Sequence, residues 1–78
     1  PNPFNPSTTI AFTIPSDDYV EIKLYDILGR EVRTLIKKQM KTGEHKIDFN
    51  ASYLASGIYF YRINAGQYSE IRKMQLLK

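Results

Sequence analysis

The side chains that could do chemistry in this chain are few and far apart. His45 is the one histidine, and there is no cysteine and no tryptophan. A nucleophilic triad would need a Ser or Thr beside that imidazole and a carboxylate behind it. A zinc or iron–sulfur centre would need thiolates or further histidines. Alternation instead sets His45 with Ile47 and Phe49 on the apolar face of a strand, so it reads as a partly buried packing residue. Asp17 and Asp18, with Ser16 adjacent, could supply half of a calcium loop, but such a loop needs several more oxygens at short spacing. An acidic turn accounts for the pair. Asn50, Ala51 and Ser52 fit the glycosylation triplet, whereas Asn5, Pro6 and Ser7 fail it at the proline. Gly29, Gly43, Gly57 and Gly66 fall one to a turn, a spacing that leaves no phosphate-cradling loop. The residues therefore predict no catalytic site, no metal site and no cofactor.

Size and charge bound the rest. Seventy-eight residues make one small domain, which buries only about 60 to 65% of the surface its unfolded chain exposes. With no disulfide available, its core must supply all of a net stability of roughly a few kcal/mol. The net charge is +3, and the whole excess falls in residues 40–78. Lys37, Lys38 and Lys41 form the densest basic group and Arg72 with Lys73 the next. Such small groups are ordinary solvated strand ends and loops, and no nucleic-acid partner is expected. No apolar run approaches the length of a transmembrane helix. The start at Pro1, without a Met or a signal-like stretch, reads as a piece of a longer polypeptide whose export signal lies upstream.

Period-two alternation governs the apolar positions, which selects strands over helices. Ile10, Phe12 and Ile14 share one face of a first strand, and Val20, Ile22 and Leu24 one face of a second. Asp26 to Gly29 reads as a turn. The run from Glu31 to Ile36 breaks strict alternation at Val32 and Leu35, which predicts a bulge or strand end near Thr34. His45, Ile47 and Phe49 define a fourth strand. Asn50 to Gly57 is expected to be a loop anchored by Tyr53 and Leu54, with room for a short seventh strand near Tyr53. Ile58 to Ile63 is apolar on both faces and is expected to be a central strand covered on both sides. A turn at Ala65, Gly66 and Gln67 leads into a last strand from Tyr68 to Leu77. These runs, with turn signals at intervals of roughly 8 to 12 residues, predict an all-β antiparallel sandwich of six to seven strands.

Phe and Tyr make up 13% of the chain and are expected to build the core in place of disulfides. Tyr59 and Tyr61 read as stabilising tyrosines whose hydroxyls reach backbone carbonyls. The competing reading is an aromatic platform for sugar rings, which would make the chain a carbohydrate-binding module.

Four segments are more specific than any single residue. They are Pro1, Asn2, Pro3, Phe4, Asn5, Pro6, Ser7, Thr8, Thr9, Ile10; Ile22 to Val32, reading IKLYDILGREV; Leu54 to Tyr61, reading LASGIYFY; and Lys73, Met74, Gln75, Leu76, Leu77, Lys78. Together, in order and over essentially the whole chain, they closely resemble the type A C-terminal sorting domain of type IX secretion, a domain related to the Ig-like domain of the flagellar hook-capping protein. The resemblance implies a small Ig-like sandwich over residues 8–78, preceded by an extended proline-rich lead-in at 1–7. It also implies a non-catalytic module that directs an upstream cargo domain through the periplasm and outer membrane to the cell surface or medium. The implied partners are the outer-membrane type IX translocon, a sortase-like cysteine peptidase and the cargo in the same precursor. Pro1, Asn2, Pro3, Phe4, Asn5, Pro6, Gly29, Gly57 and Tyr59 then read as structural motif residues. Lys73, Met74, Leu76, Leu77 and Lys78 read as the recognition segment. Proline fixes φ and biases the residue before it away from helix, so Pro1, Pro3 and Pro6 would make a stiff spacer. The last strand could be read by strand addition. The alternative is a structural or adhesive Ig-like spacer within a multidomain secreted enzyme.

Overall fold

The structure, a computed structural model, describes residues 7–77. Six strands follow one another: β1 (Ser7–Ile14), β2 (Asp18–Tyr25), β3 (Glu31–Met40), β4 (Gly43–Asn50), β5 (Gly57–Ala65) and β6 (Tyr68–Leu76). All pairings are antiparallel. β1 and β4 form a two-stranded sheet, and β3-β2-β5-β6 form a four-stranded one. Among the described residues there is no helix, and none long and apolar enough to cross a membrane. The expected all-β sandwich is thus present with six strands. The seventh near Tyr53 does not form, and residues 52–54 make a turn instead.

One core joins the sheets. Ile10, Phe12 and Ile14 of β1 and Phe49 of β4 meet Val20, Ile22 and Leu24 of β2 and Tyr59, Tyr61, Ile63 and Ala65 of β5. The alternation read from the sequence therefore decides the inward face of each strand. The most deeply buried large side chains are all aliphatic: Ile14, Ile22, Leu24, Ile63 and Val20. Phe12, Phe49, Tyr59 and Tyr61 are buried in the same core, as expected from composition, around this aliphatic centre. Tyr19 and Tyr53 are exposed, because Tyr19 lies on the outward face of β2 and Tyr53 at a loop surface.

β3 runs past Ile36 to Met40, so Lys37 and Lys38 lie in a strand and not in a loop. Ile36 and Met40 reach the core in regular register, and two register breaks against β2 bring in two more side chains. Ile22 faces Ile36 while Lys23 faces Thr34, and Leu24 faces Arg33 while Tyr25 faces Glu31. The residues skipped, Leu35 and Val32, both pack against the core. A strictly alternating strand could not have placed Val32, Leu35 and Ile36 together, so the bulge expected near Thr34 is how this sequence buries them.

The turns are held by side chains. Asp26 organises the β2–β3 turn: its Oδ1 accepts the N–H groups of Leu28 (2.9 Å) and Arg30 (3.0 Å), and its Oδ2 accepts Arg30 Nε (2.8 Å). These bonds, led by that of the Arg30 backbone, hold the Asp26 carboxyl below its ordinary range. Asp17 accepts the Thr42 N–H at 2.8 Å and lies 3.5 Å from Lys41 Nζ, linking two turns at one end of the sandwich. Asp18 accepts the following N–H, that of Tyr19, at 2.8 Å. These roles are the turn chemistry expected of the acidic pair. His45 packs its ring on Phe12, with centroids 5.5 Å apart, and its Nε2–H donates to the Lys41 carbonyl at 2.7 Å.

In loop 51–56, Leu54 is buried as expected, but its fellow anchor is Ala51, fully buried, and not Tyr53. The Tyr53 hydroxyl accepts Arg33 Nη1 at 3.0 Å, and the same guanidinium lies 5.6 Å from the ring centroid. The loop is thereby tied to the bulged strand. Tyr59, near the start of β5, donates its hydroxyl to the Ala55 carbonyl at 2.7 Å. A tyrosine bonded back to backbone a few residues upstream at the corner of a β-sandwich is a recurrent device of Ig-like folds.

Candidate functional site

The C-terminal segment is positioned by the β5–β6 hairpin. Gly66, with φ of +62°, and Gln67 connect Ala65 to Tyr68. Positive φ at the first turn residue and not at the second is the pattern of a type II′ turn, whose twist matches the flanking strands. From that turn the register runs without a break from Ala65 opposite Tyr68 to Gly57 opposite Leu76.

β6 is an outer strand of its sheet, and its side chains divide. Tyr68, Glu70, Arg72, Met74 and Leu76 share the inward face, since they lie opposite Ala65, Ile63, Tyr61, Tyr59 and Gly57. Leu76 is buried and Met74 packs against the core. Ser69, Ile71, Lys73 and Gln75 point to the outer face. Leu77 follows the strand and is 76% exposed. Lys73, Met74, Leu76 and Leu77 therefore do not make one side-chain patch: the first three share a strand that Leu77 follows, but their side chains face in different directions. Lys78, like Pro1, Asn2, Pro3, Phe4, Asn5 and Pro6, lies outside the described residues.

Of the residues expected to be structural, two adjoin this strand. Gly57 and Tyr59 lie on β5 directly across from Leu76 and Met74. Gly29 lies in the β2–β3 turn and borders a shallow cleft of about 220 Å³ on the outer face, lined also by Tyr25, Phe60, Arg62 and Ile71. Arg62 sits over the Tyr25 ring at 5.7 Å. β5 is central as expected, but only its inward face is sealed: Arg62 is exposed, and Ile58, Phe60 and Asn64 are half-buried. The two-stranded β1-β4 sheet covers one side of that sheet, and among the described residues there is no third layer for the other.

On the inward side of β6, Arg72 Nη2 meets Glu70 Oε2 at 2.8 Å, and the Tyr68 hydroxyl donates to Glu70 Oε1 at 2.9 Å. The guanidinium, and then the phenol, hold the Glu70 carboxyl below its ordinary range. The same carboxylate pushes the Tyr68 phenol up. This trio is satisfied internally and orders the strand. Among the described residues no group of three or more His, Cys, Asp or Glu could hold a metal ion. The Tyr59 and Tyr61 rings are 7% and 8% exposed, so they offer no flat platform to a sugar.

Sequence reasoning missed Ala51, the length of β3, and the exposure of Ile71 at 58% beside the cleft. Alternation does place Ile71 on the outward face, and only its neighbours show that nothing covers it. For Ala51 the sequence holds no signal, since a small loop residue reads as solvent-exposed.

A family described as "Secretion system C-terminal sorting domain" matches residues 1–76. No curated protein and no solved structure matches the chain.

Proposed function

The chain belongs to the secretion system C-terminal sorting domain family, and from that premise we propose how this domain acts. It is a sorting signal for type IX secretion, which directs the polypeptide carrying it across the outer membrane to the cell surface or extracellular space. In our reading it does so without catalysis of its own. It presents a folded surface to the outer-membrane translocon, and a sortase-like cysteine peptidase then acts on the junction with the upstream cargo. The C-terminal segment, Lys73, Met74, Leu76, Leu77 and Lys78, is what the translocon reads. Pro1, Asn2, Pro3, Phe4, Asn5 and Pro6 space the cargo from the sandwich, while Gly29, Gly57 and Tyr59 maintain the fold. The single observation that carries this reading is the family match over residues 1–76.

The geometry supports it. β1 begins at Ser7 opposite Asn50, and β6 ends at Leu76 opposite Gly57. Asn50 and Gly57 flank the one loop 51–56, so both ends of the sandwich's chain emerge beside it. Cargo and C-terminal segment are then presented on the same side. The test is to append the chain to a periplasmic reporter in a strain with a type IX system. Removing Lys73 to Lys78 should abolish surface delivery, and delivery that survives the deletion refutes the assignment of these residues.

A further inference from the structure

Lys73, Met74, Leu76 and Leu77 face in different directions, but they belong to one backbone. We infer that the element read is the open edge of β6 itself, which takes up an extended strand of a partner protein. This rests on the sorting function above and names the contact through which it operates.

Three observations carry it. First, the two edges of the four-stranded sheet differ. The β3 edge is broken by two bulges against β2, carries Arg33, Lys37 and Lys38, and is tied to Tyr53. Bulges and edge cations are the devices by which a sheet blunts its edge. β6 runs in unbroken register with β5 along its whole length. Second, the pairing pattern fixes which backbone groups are free. Ala65 and Tyr68 close a two-residue turn and so exchange ladder bonds, and such bonds recur at every second residue. Tyr68, Glu70, Arg72, Met74 and Leu76 thus bond to β5. The N–H and C=O groups of Ser69, Ile71, Lys73 and Gln75 point away from it, a template for strand addition.

Third, the side chains along that edge favour a particular partner strand. β1 and β4 also have open outer sides, but their exposed rows are Thr9, Ala11 and Thr13, and Glu44, Lys46 and Asp48. The β6 row instead holds Ile71, 58% exposed, at the wall of the cleft floored by Phe60. Lys73 lies beside it, opposite Phe60, and Arg62 opposite Ile71. Neither cation has a salt bridge among the described residues, whereas Lys23 and Lys37 on the same face pair with Glu31 (3.3 Å) and Glu21 (3.9 Å). The fitting occupant is a protein strand with an apolar side chain over Ile71 and a carboxylate beside Lys73.

Proline distinguishes backbone from side chain. Lys73→Pro removes an N–H that points away from β5, so it costs no ladder bond, and proline is tolerated on edges in that sense. Lys73→Gln removes only the charge. Ile71→Lys blunts the edge at an exposed position without touching the ladder, and serves if the proline chain fails to fold. Each variant, in the 78-residue chain appended to the periplasmic reporter, is assayed for surface delivery, and the unfused chain for its melting midpoint and its mass by light scattering. The expected result is a folded monomer in which Lys73→Pro and Ile71→Lys lower delivery at least tenfold and Lys73→Gln about two- to threefold. Normal delivery of folded Lys73→Pro and of Ile71→Lys overturns the inference. If the Lys73–Lys78 deletion alone blocks delivery, the sorting assignment stands and the edge mechanism falls. If neither the deletion nor the edge variants block it, both fall. A dimer that Lys73→Pro converts to monomer identifies the occupant as a second copy and overturns the assignment to a partner strand.

Discussion

Replacing Tyr59 by Phe removes one oxygen and nothing else, which makes it a sharp test of how this small sandwich is closed. The hydroxyl donates to the Ala55 carbonyl at 2.7 Å, while the ring is 7% exposed within the core. A typical intramolecular hydrogen bond contributes about 0.5–1.5 kcal/mol net, and leaving a buried partner unsatisfied costs about 1–3 kcal/mol. Ala55 is exposed, so water can replace the lost donor and the larger penalty does not apply. The expected loss is therefore about 1 kcal/mol. In a domain of this length that lowers the midpoint by about 4–8 °C. Tyr59→Ala also empties the ring's place, for a cost of about 3–5 kcal/mol, which matches or exceeds the few kcal/mol a core of this size supplies. Thermal and urea melts followed by circular dichroism measure both. Tyr59→Phe should shift the urea midpoint with the slope unchanged, since the surface exposed on unfolding is the same. An unshifted Tyr59→Phe chain would refute the bond's role in closing the β4–β5 corner. A well-folded Tyr59→Ala chain would refute the placement of the ring in the core.

Two further expectations follow from the turns. A Cβ at Gly66 would run into Asp18 Oδ2 at a backbone φ of +62°, so Gly66→Ala strains the hairpin by about 1–2 kcal/mol and displaces the Asp18 carboxylate from the Tyr19 N–H; a chemical-denaturation midpoint equal to that of the parent chain would contradict this. The folded-state pKa of Asp26 is depressed below its ordinary value near 3.8, so the stability its ionised form lends the β2–β3 turn is fully present above that value and is lost as pH falls through the lower, folded-state pKa. The protection of the Leu28 and Arg30 amides, meaning their exchange relative to the intrinsic pH-dependent rate of an unstructured chain, should accordingly fall in that acid window and stay level from pH 5 to 7, and Asp26→Asn should remove this change in protection.

Much of the architecture was legible in the residues themselves. Side chains alternate across a strand because the backbone is pleated, so Ile10, Phe12 and Ile14, or Val20, Ile22 and Leu24, declare their inward face with no knowledge of what they pack against. The disrupted pattern at Val32, Leu35 and Ile36 foretold the bulges for the same reason, since a pleat that must bury neighbouring residues has to slip. The four motif segments carried the family. What the sequence could not decide is everything that depends on a partner distant in the chain. Ala51 is buried and Tyr53 exposed because of how loop 51–56 crosses the end of the sandwich, and a loop has no period from which to read that. Lys73, Met74 and Leu76 were correctly read as strand, but whether that strand lies inside the sheet or at its margin is a property of pairing order. The order β3-β2-β5-β6 leaves one side of β6 without a neighbour among the described residues, because a strand backbone can bond on two sides and β6, at the end of the order, meets β5 alone. The sequence thus determined which segments are strands and which way they face; the tertiary structure alone decided which of them still has hydrogen bonds to give.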